Sequence, residues 1–213
     1  MPRVRRMIVT ALAALVLLVS PVGTSITRAS DPLRVVLIVD SSTNMSTMLN
    51  EFRAGLHSFI DNLPDDVELA LISTGGQIRI RLAPTSDKEK MQQAISRFAS
   101  DGGANSLIDT LVESDRRFLK PAADRRPLFV LLTTDQPLLG EPTLYAYNAF
   151  VKDFVRRRGR AHGIVIRGTN SGLISQVVEN ITGNTDGIFH VLVVGNSLAE
   201  HMKQVAEEVA AQQ

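Results

Sequence analysis

The sequence predicts an α/β fold: an open, mostly parallel sheet with helices on both faces, in three layers. Three observations carry this. The apolar runs Arg34–Asp40 ("RVVLIVD") and Arg126–Asp135 ("RPLFVLLTTD") are continuous rather than alternating, as in strands covered on both faces. Segments with helical spacing of apolar residues recur between strand-like runs. One pair of strands, "VELALIS" and "QIRIRLA", is joined only by Thr74-Gly75-Gly76. So short a link makes a hairpin, so this pair is antiparallel.

The elements follow in order. After the first strand, Met45–Leu63 reads as a helix, with Met48, Phe52, Leu56, Phe59 and Ile60 on one face. In the hairpin's second strand Ile78, Ile80 and Leu82 alternate with Gln77, Arg79 and Arg81, a half-exposed pattern suited to a sheet edge. Asp87–Ala99 and Ser106–Leu119 are helices, separated by "SDGGANS". The buried strand "RPLFVLLTTD" comes next, then a helix over Tyr145–Arg158, the strand "AHGIVIR", and a helix over Ser171–Ile181 ending at "TGN". "GIFHVLVV" is the last strand and Leu198–Ala211 the last helix. Right-handed crossovers connect the parallel strands. No internal repeat, low-complexity tract or linker divides residues 30–213, which are predicted to form one domain.

The N-terminus is of another kind. Arg3, Arg5 and Arg6 precede an apolar stretch from Met7 to Val19, broken by Pro21 and Gly23 and followed by small residues. That pattern predicts a signal peptide over residues 1–29, with cleavage after Ala29 and a periplasmic or secreted product. The stretch is short for a membrane span, which needs roughly 20 apolar residues, and an uncleaved leader acting as a membrane anchor is the alternative. Removing Arg3, Arg5, Arg6 and Arg28 from the 23 basic residues leaves 19 against 22 acidic ones, a net charge near −3. Such a balance argues against a nucleic-acid surface. With no cysteine in the chain, disulfides and thiol chemistry are excluded.

Ligands of open α/β sheets sit beyond the carboxyl ends of the strands, where strand order reverses. Two buried strands here run directly into an aspartate, at Asp40 and Asp135, and Asp40, Ser42 and Asn44 alternate along one loop. Oxygen ligands converging in this way suit Mg²⁺, Mn²⁺ or Ca²⁺. The same residues also fit the start of a helix, with Asn44 or Thr43 as N-cap, Asn105 or Ser106 capping the next helix, and Asp135 accepting hydrogen bonds from the loop after Asp40.

"VVLIVDSSTNM" resembles the opening of the von Willebrand factor A domain, an apolar strand followed by Asp-x-Ser-x-Ser-Met. "GGANSLIDTL" is similar to the middle loop of bacterial members, and "LFVLLTTDQP" stands where the family often has Thr-Asp-Gly. The resemblance runs from about Leu33 to the C-terminus. It implies a six-stranded sheet in the order 3-2-1-4-5-6 and a metal-ion-dependent adhesion site at Asp40, Ser42, Asn44, Asn105 and Asp135. Asn44 replaces the second serine and Asn105 the threonine, with Ala104 and Ser106 as alternatives if the loop shifts by one. Gln136 replaces the usual glycine, so the site is a degenerate form of the motif.

The resemblance further implies a protein-binding module whose partner completes the ion's coordination through an acidic side chain. A metal-free scaffold, binding through loops or helix faces, is the alternative; in it, Asp40→Ala changes stability little. Catalysis is disfavoured, because no nucleophile elbow, Walker loop or dinucleotide fingerprint follows a strand. Hydrolysis assisted by Mg²⁺ at Asp40 and Asp135 is the remaining enzymatic reading. Arg156–Arg160 end a helix, where cations complement the macrodipole, and "GTNSG" at Gly168–Gly172 reads as a plain connection. The four histidines have no ligand spacing.

Overall fold

In the computed structural model, which describes residues 32–136, 144–167, 172–193 and 195–212, six strands form one sheet. They are β1 (Leu33–Val39), β2 (Glu68–Ser73), β3 (Arg79–Thr85), β4 (Arg126–Thr134), β5 (Arg160–Ile166) and β6 (Phe189–Leu192), hydrogen-bonded in the order β3-β2-β1-β4-β5-β6. Only β2 and β3 pair antiparallel; the other four pairings are parallel. The predicted leader lies outside the described residues, as do Gly168–Ser171.

The helices are α1 (Leu49–Asp61), α2 (Lys88–Ser96), α3 (Leu107–Ser114), α4 (Leu144–Arg156), α5 (Ile174–Asn184) and α6 (Leu198–Ala211). Alternation along each strand sends successive side chains to opposite faces, and two apolar cores result. On one face Leu33, Val35, Leu37 and Val39 pack with α1, α2 and α6, through residues such as Phe52, Phe59, Ile95, Met202 and Val205. On the other, Val36 and Ile38 pack with α3, α4 and α5 through Leu111, Phe150, Phe154 and Val178. The strands read as continuous apolar runs because both faces are covered.

Several helix boundaries differ from the sequence reading, and at three of them side-chain or loop contacts accompany the change. The segment after β1 begins as a 3-10 turn, Thr43–Met48, before α1. The Thr43 N–H donates to Gly103 O (3.0 Å) and the Ser42 N–H to Asp40 Oδ1 (2.8 Å), which ties the first turn to its neighbours. The helix predicted over Ser106–Leu119 ends its α-helical part at Ser114 and widens into a π turn over Asp115–Leu119. That turn carries the buried Asp115 carboxylate to Arg157 (2.6 Å) and Lys120 (3.7 Å). Burial pushes the Asp115 pKa up and Arg157 opposes it. At α5 the helix passes Ile181 and continues to Asn184, because Thr182 and Thr185 return their hydroxyls to the carbonyls of Val178 (2.9 Å) and Ile181 (2.8 Å).

Three arginines of the Arg156–Arg160 cluster make ion pairs. Arg156 and Arg157 pair with Asp153, and Arg160 with Glu208 (3.2 Å). His162 on β5 is fully buried and accepts the Ile188 N–H at Nδ1 (3.1 Å), so the neutral ring carries its proton on Nε2. Burial, aided by Arg160, lowers its pKa to about 4. Between pH 6.5 and about 4 the unfolded chain takes up this proton and the folded chain does not. Stability is therefore expected to fall with pH across that window, and His162→Gln to flatten the slope in urea titrations run from pH 7 to 4. An unchanged slope would mean that the ring is not held neutral.

Candidate functional site at the carboxyl edge of the sheet

Three loops meet where β1 and β2 end. The Ser41 hydroxyl donates to Asp101 Oδ2 (2.8 Å) and accepts the Gly75 N–H (2.8 Å), so one side chain joins all three. Ser73 Oγ also donates to Asp101 (3.0 Å), and Arg81 and Arg79 from the edge strand complete its shell. Burial raises the Asp101 pKa, but the Ser41, Arg81 and Ser73 hydrogen bonds outweigh it and hold the carboxyl below its usual value. Gly75 is required: a Cβ there would lie 2.4 Å from Ser41 O. Gly103, at φ +68, would bring a Cβ within 2.7 Å of Gly76 Cα. Asp101→Asn is expected to lower unfolding stability by about 1–2 kcal/mol, because it removes the charge that the Ser41, Ser73 and Arg81 donors share in a half-buried setting. Urea unfolding checks this; a change within experimental error would show that the loops do not depend on this carboxylate.

Asp40 is fully buried and accepts four hydrogen bonds. They come from Ser42 N (2.8 Å), Thr134 N (3.1 Å), Thr134 Oγ1 and Gln136 Nε2 (3.2 Å). The Gln136 amide nitrogen also lies 3.0 Å from Ser42 Oγ and 3.1 Å from Thr134 Oγ1. Its oxygen accepts the Asn44 side-chain amide (3.2 Å).

The five predicted ligands make their hydrogen bonds to different partners. Asp40 and Ser42 meet, at the Gln136 amide. Asn44 is solvent-exposed and reaches the cluster only through Gln136. Asn105 is buried and points its amide at Thr133 Oγ1 (2.7 Å), while its Oδ1 has no partner. Of the three residues weighed for this place, Asn105 faces inward, Ala104 is half-buried, and Ser106 is half-buried with its hydroxyl on Thr74 O (2.9 Å). Asp135 turns to α5 and accepts Ser175 N (3.1 Å) and Ser175 Oγ (3.2 Å).

The capping alternatives are answered as well. Ser42 and Ser106 occupy the N-cap positions of the 3-10 turn and of α3, without side-chain cap bonds. Asp135 serves α5 rather than the loop after Asp40. Thr134, Gln136 and Ser175 are the residues that sequence reasoning missed. Thr134 and Gln136 flank the predicted Asp135, and the departure from glycine at 136 was the available signal.

The arrangement does not fit a cation as it stands. Mg²⁺ takes oxygens at about 2.0–2.1 Å and Ca²⁺ at about 2.3–2.6 Å, whereas the oxygens here are spaced for hydrogen bonds to nitrogen. Among the described residues no group of three or more acidic, histidine or cysteine side chains is placed to hold a metal. A separate groove of 370 Å³ lies between β3 and α2, lined by Ile80, Leu82, Lys90 and Arg97 among others, away from Asp40.

The family model of the von Willebrand factor type A domain matches residues 35–137, the stretch that carries every residue of the Asp40 cluster. No curated protein matches the sequence significantly. Among solved structures the chain is similar to a von Willebrand factor type A protein from Catenulispora acidiphila, at TM-score 0.68 and 18% identity over 84% of this chain and 42% of that one. It thus spans less than half of that relative. An aerotolerance-related membrane protein from Bacteroides fragilis matches at TM-score 0.63 and 15% identity, covering 83% of this chain and 99% of that one. Proximal thread matrix protein 1 from the mussel byssus, in a structure with a zinc-occupied MIDAS motif, matches at TM-score 0.67 and 15% identity over 84% of this chain and 46% of that one. Sheet order, the single antiparallel strand pair and the helical layers agree with the matched sequence: the chain has the von Willebrand factor type A fold, and its residues 35–137 match that family's model.

Proposed function

We propose that the chain is an exported protein-binding module that engages its partner at the carboxyl edge of the sheet without a divalent cation. Domains of this family typically mediate protein interactions. The observation that carries the choice of surface is the placement of exposed apolar side chains. Tyr145 at the start of α4 is 87% exposed, Leu173 at the start of α5 50%, and Val193 after β6 76%. All three follow the carboxyl ends of parallel strands, and so lie on the edge that holds Asp40. Large apolar side chains left in water on one edge mark an interaction surface more than isolated ones do. Export rests on the basic-apolar leader of residues 1–29; no described helix is long and apolar enough to cross a membrane.

A second reading keeps a cation, held by Asp40, Ser42, Asn44, Asn105 and Asp135 and completed by a partner carboxylate. The meeting of Asp40 and Ser42 favours it; the bonds that Asp135 and Asn105 make elsewhere weigh against it. The family's typical role in protein interactions makes binding the preferred reading over catalysis.

The test is capture of proteins from the exported fraction on immobilised domain, in EDTA. The wild type is compared with Tyr145→Ser/Leu173→Ser/Val193→Ser and with Ile80→Ser, which removes an apolar side chain exposed elsewhere. A species retained by the wild type and by Ile80→Ser, but lost from the triple variant, is the expected result. Retention by the triple variant overturns the choice of surface. Capture that needs Mg²⁺ or Mn²⁺ and fails in EDTA supports the cation reading instead.

A further inference from the structure

We infer that the side-chain amide of Gln136 is a built-in substitute for the cation. Its NH₂ group fills the place between Asp40, Ser42 and Thr134, so the chain itself closes the site. Three oxygens surround Nε2: Ser42 Oγ at 3.0 Å, Thr134 Oγ1 at 3.1 Å and Asp40 Oδ2 at 3.2 Å. These are ordinary N–H···O separations, about 1 Å longer than magnesium–oxygen bonds. An ion could enter only if the amide left and the oxygens contracted around it.

The amide can sit only one way round. With Nε2 toward Asp40, the group's two protons face the oxygens, and Oε1 accepts the Asn44 amide (3.2 Å). Reversed, Oε1 would face the Asp40 carboxylate, acceptor against acceptor. Two protons suffice for three oxygens because Thr134 Oγ1 gives its own proton to Asp40.

Asp40 Oδ2 is saturated. Three of the four donors, the Thr134 N–H, the Thr134 hydroxyl and the Gln136 amide, converge on it and the Ser42 N–H takes Oδ1, so the oxygen that faces Gln136 has no lone pair left for an ion while the amide is in place. The backbone behind the amide is also held. Gly172 packs so closely on Gln136 that a Cβ there would lie 2.1 Å from its carbonyl carbon and oxygen, and Asp135 is tied to Ser175. The centre of the edge is thus kept as a network of uncharged donors around the Asp40 carboxylate, with Asn44 as its exposed end.

This inference does not depend on what the edge binds, and its test is separate from partner capture. Gln136→Gly opens the place, and Gln136→Gly/Asp40→Ala removes the carboxylate as well. Each is titrated with Mn²⁺ alone by calorimetry, beside thermal unfolding with and without the metal. In EDTA, Gln136→Gly is expected to melt below the wild type. Mn²⁺ is expected to bind it at least about tenfold more tightly than the wild type and to raise its melting temperature by linkage. The double variant is expected to show neither effect. Equal Mn²⁺ affinity in the wild type and Gln136→Gly overturns the inference. So does a Gln136→Gly protein that is destabilised but not rescued by metal, since the amide would then be an ordinary structural bond. If the glycine variant does not fold, Gln136→Ser carries the same comparison, with a hydroxyl in place of the amide.

Discussion

Asp40→Ala is expected to lower the unfolding free energy by about 3–5 kcal/mol, the range for breaking a buried, hydrogen-bonded charged group on one side only. The carboxylate is fully buried and receives two backbone N–H groups, a hydroxyl and an amide. Alanine leaves all four donors facing a void that their own loops must collapse to fill. Urea denaturation in EDTA measures the loss without any contribution from a bound ion. The metal-free reading of the sequence expected little change from this substitution. The structure reverses that expectation, because Asp40 ties the loop after β1 to the end of β4. Asp40→Asn is expected to lose less: it keeps an oxygen for the Ser42 N–H but sets an NH₂ group against Thr134 and Gln136. A loss below about 1 kcal/mol for Asp40→Ala would mean that the network is loosely held or replaced by water.

Gly172→Ala is expected to cost about 3 kcal/mol, at the upper end for forcing added volume into packed structure. The obstacle is main chain, which cannot rotate away as a side chain does: the new Cβ meets the Gln136 carbonyl carbon and oxygen, both at 2.1 Å. Relief requires moving either the start of α5, at the expense of the Asp135–Ser175 bonds, or Gln136, at the expense of its hold on Asp40. Both routes damage the same network. Gly172→Ala and Asp40→Ala together are therefore expected to cost less than the sum of the two, and a double-mutant cycle in urea reads the difference. Strict additivity would show that Gly172 acts on α5 alone.

Much of the fold was legible because burial on both faces leaves a plain mark. Val35–Val39 and Leu128–Leu132 alternate between two cores, and both cores are apolar, so no polar residue interrupts either run. The edge strand was legible for the opposite reason: Arg79 and Arg81 reach Asp101 from the open side of β3, with Arg79 more than half exposed, although Ile80 is exposed as well. The helix ends were less so. The π turn at Asp115 depends on Arg157, 42 residues away, and the last turn of α5 depends on threonine hydroxyls that normally signal a break.

The candidate site divides along the same line. The sequence by itself determined that Asp40, Ser42 and Asp135 end buried strands on one edge of the sheet. Alternation and chain direction place them there, and both are local properties. Only the tertiary structure decided what those residues hold. Asp135 is taken by Ser175, Asn105 by Thr133, and the centre by Gln136, through contacts spanning 28 to 96 positions of the chain. A glutamine next to an aspartate looks from the sequence like one more loop residue. Its two methylenes carry the amide to Asp40 only once β1 and β4 lie side by side, with the Gln136 backbone fixed beneath Gly172.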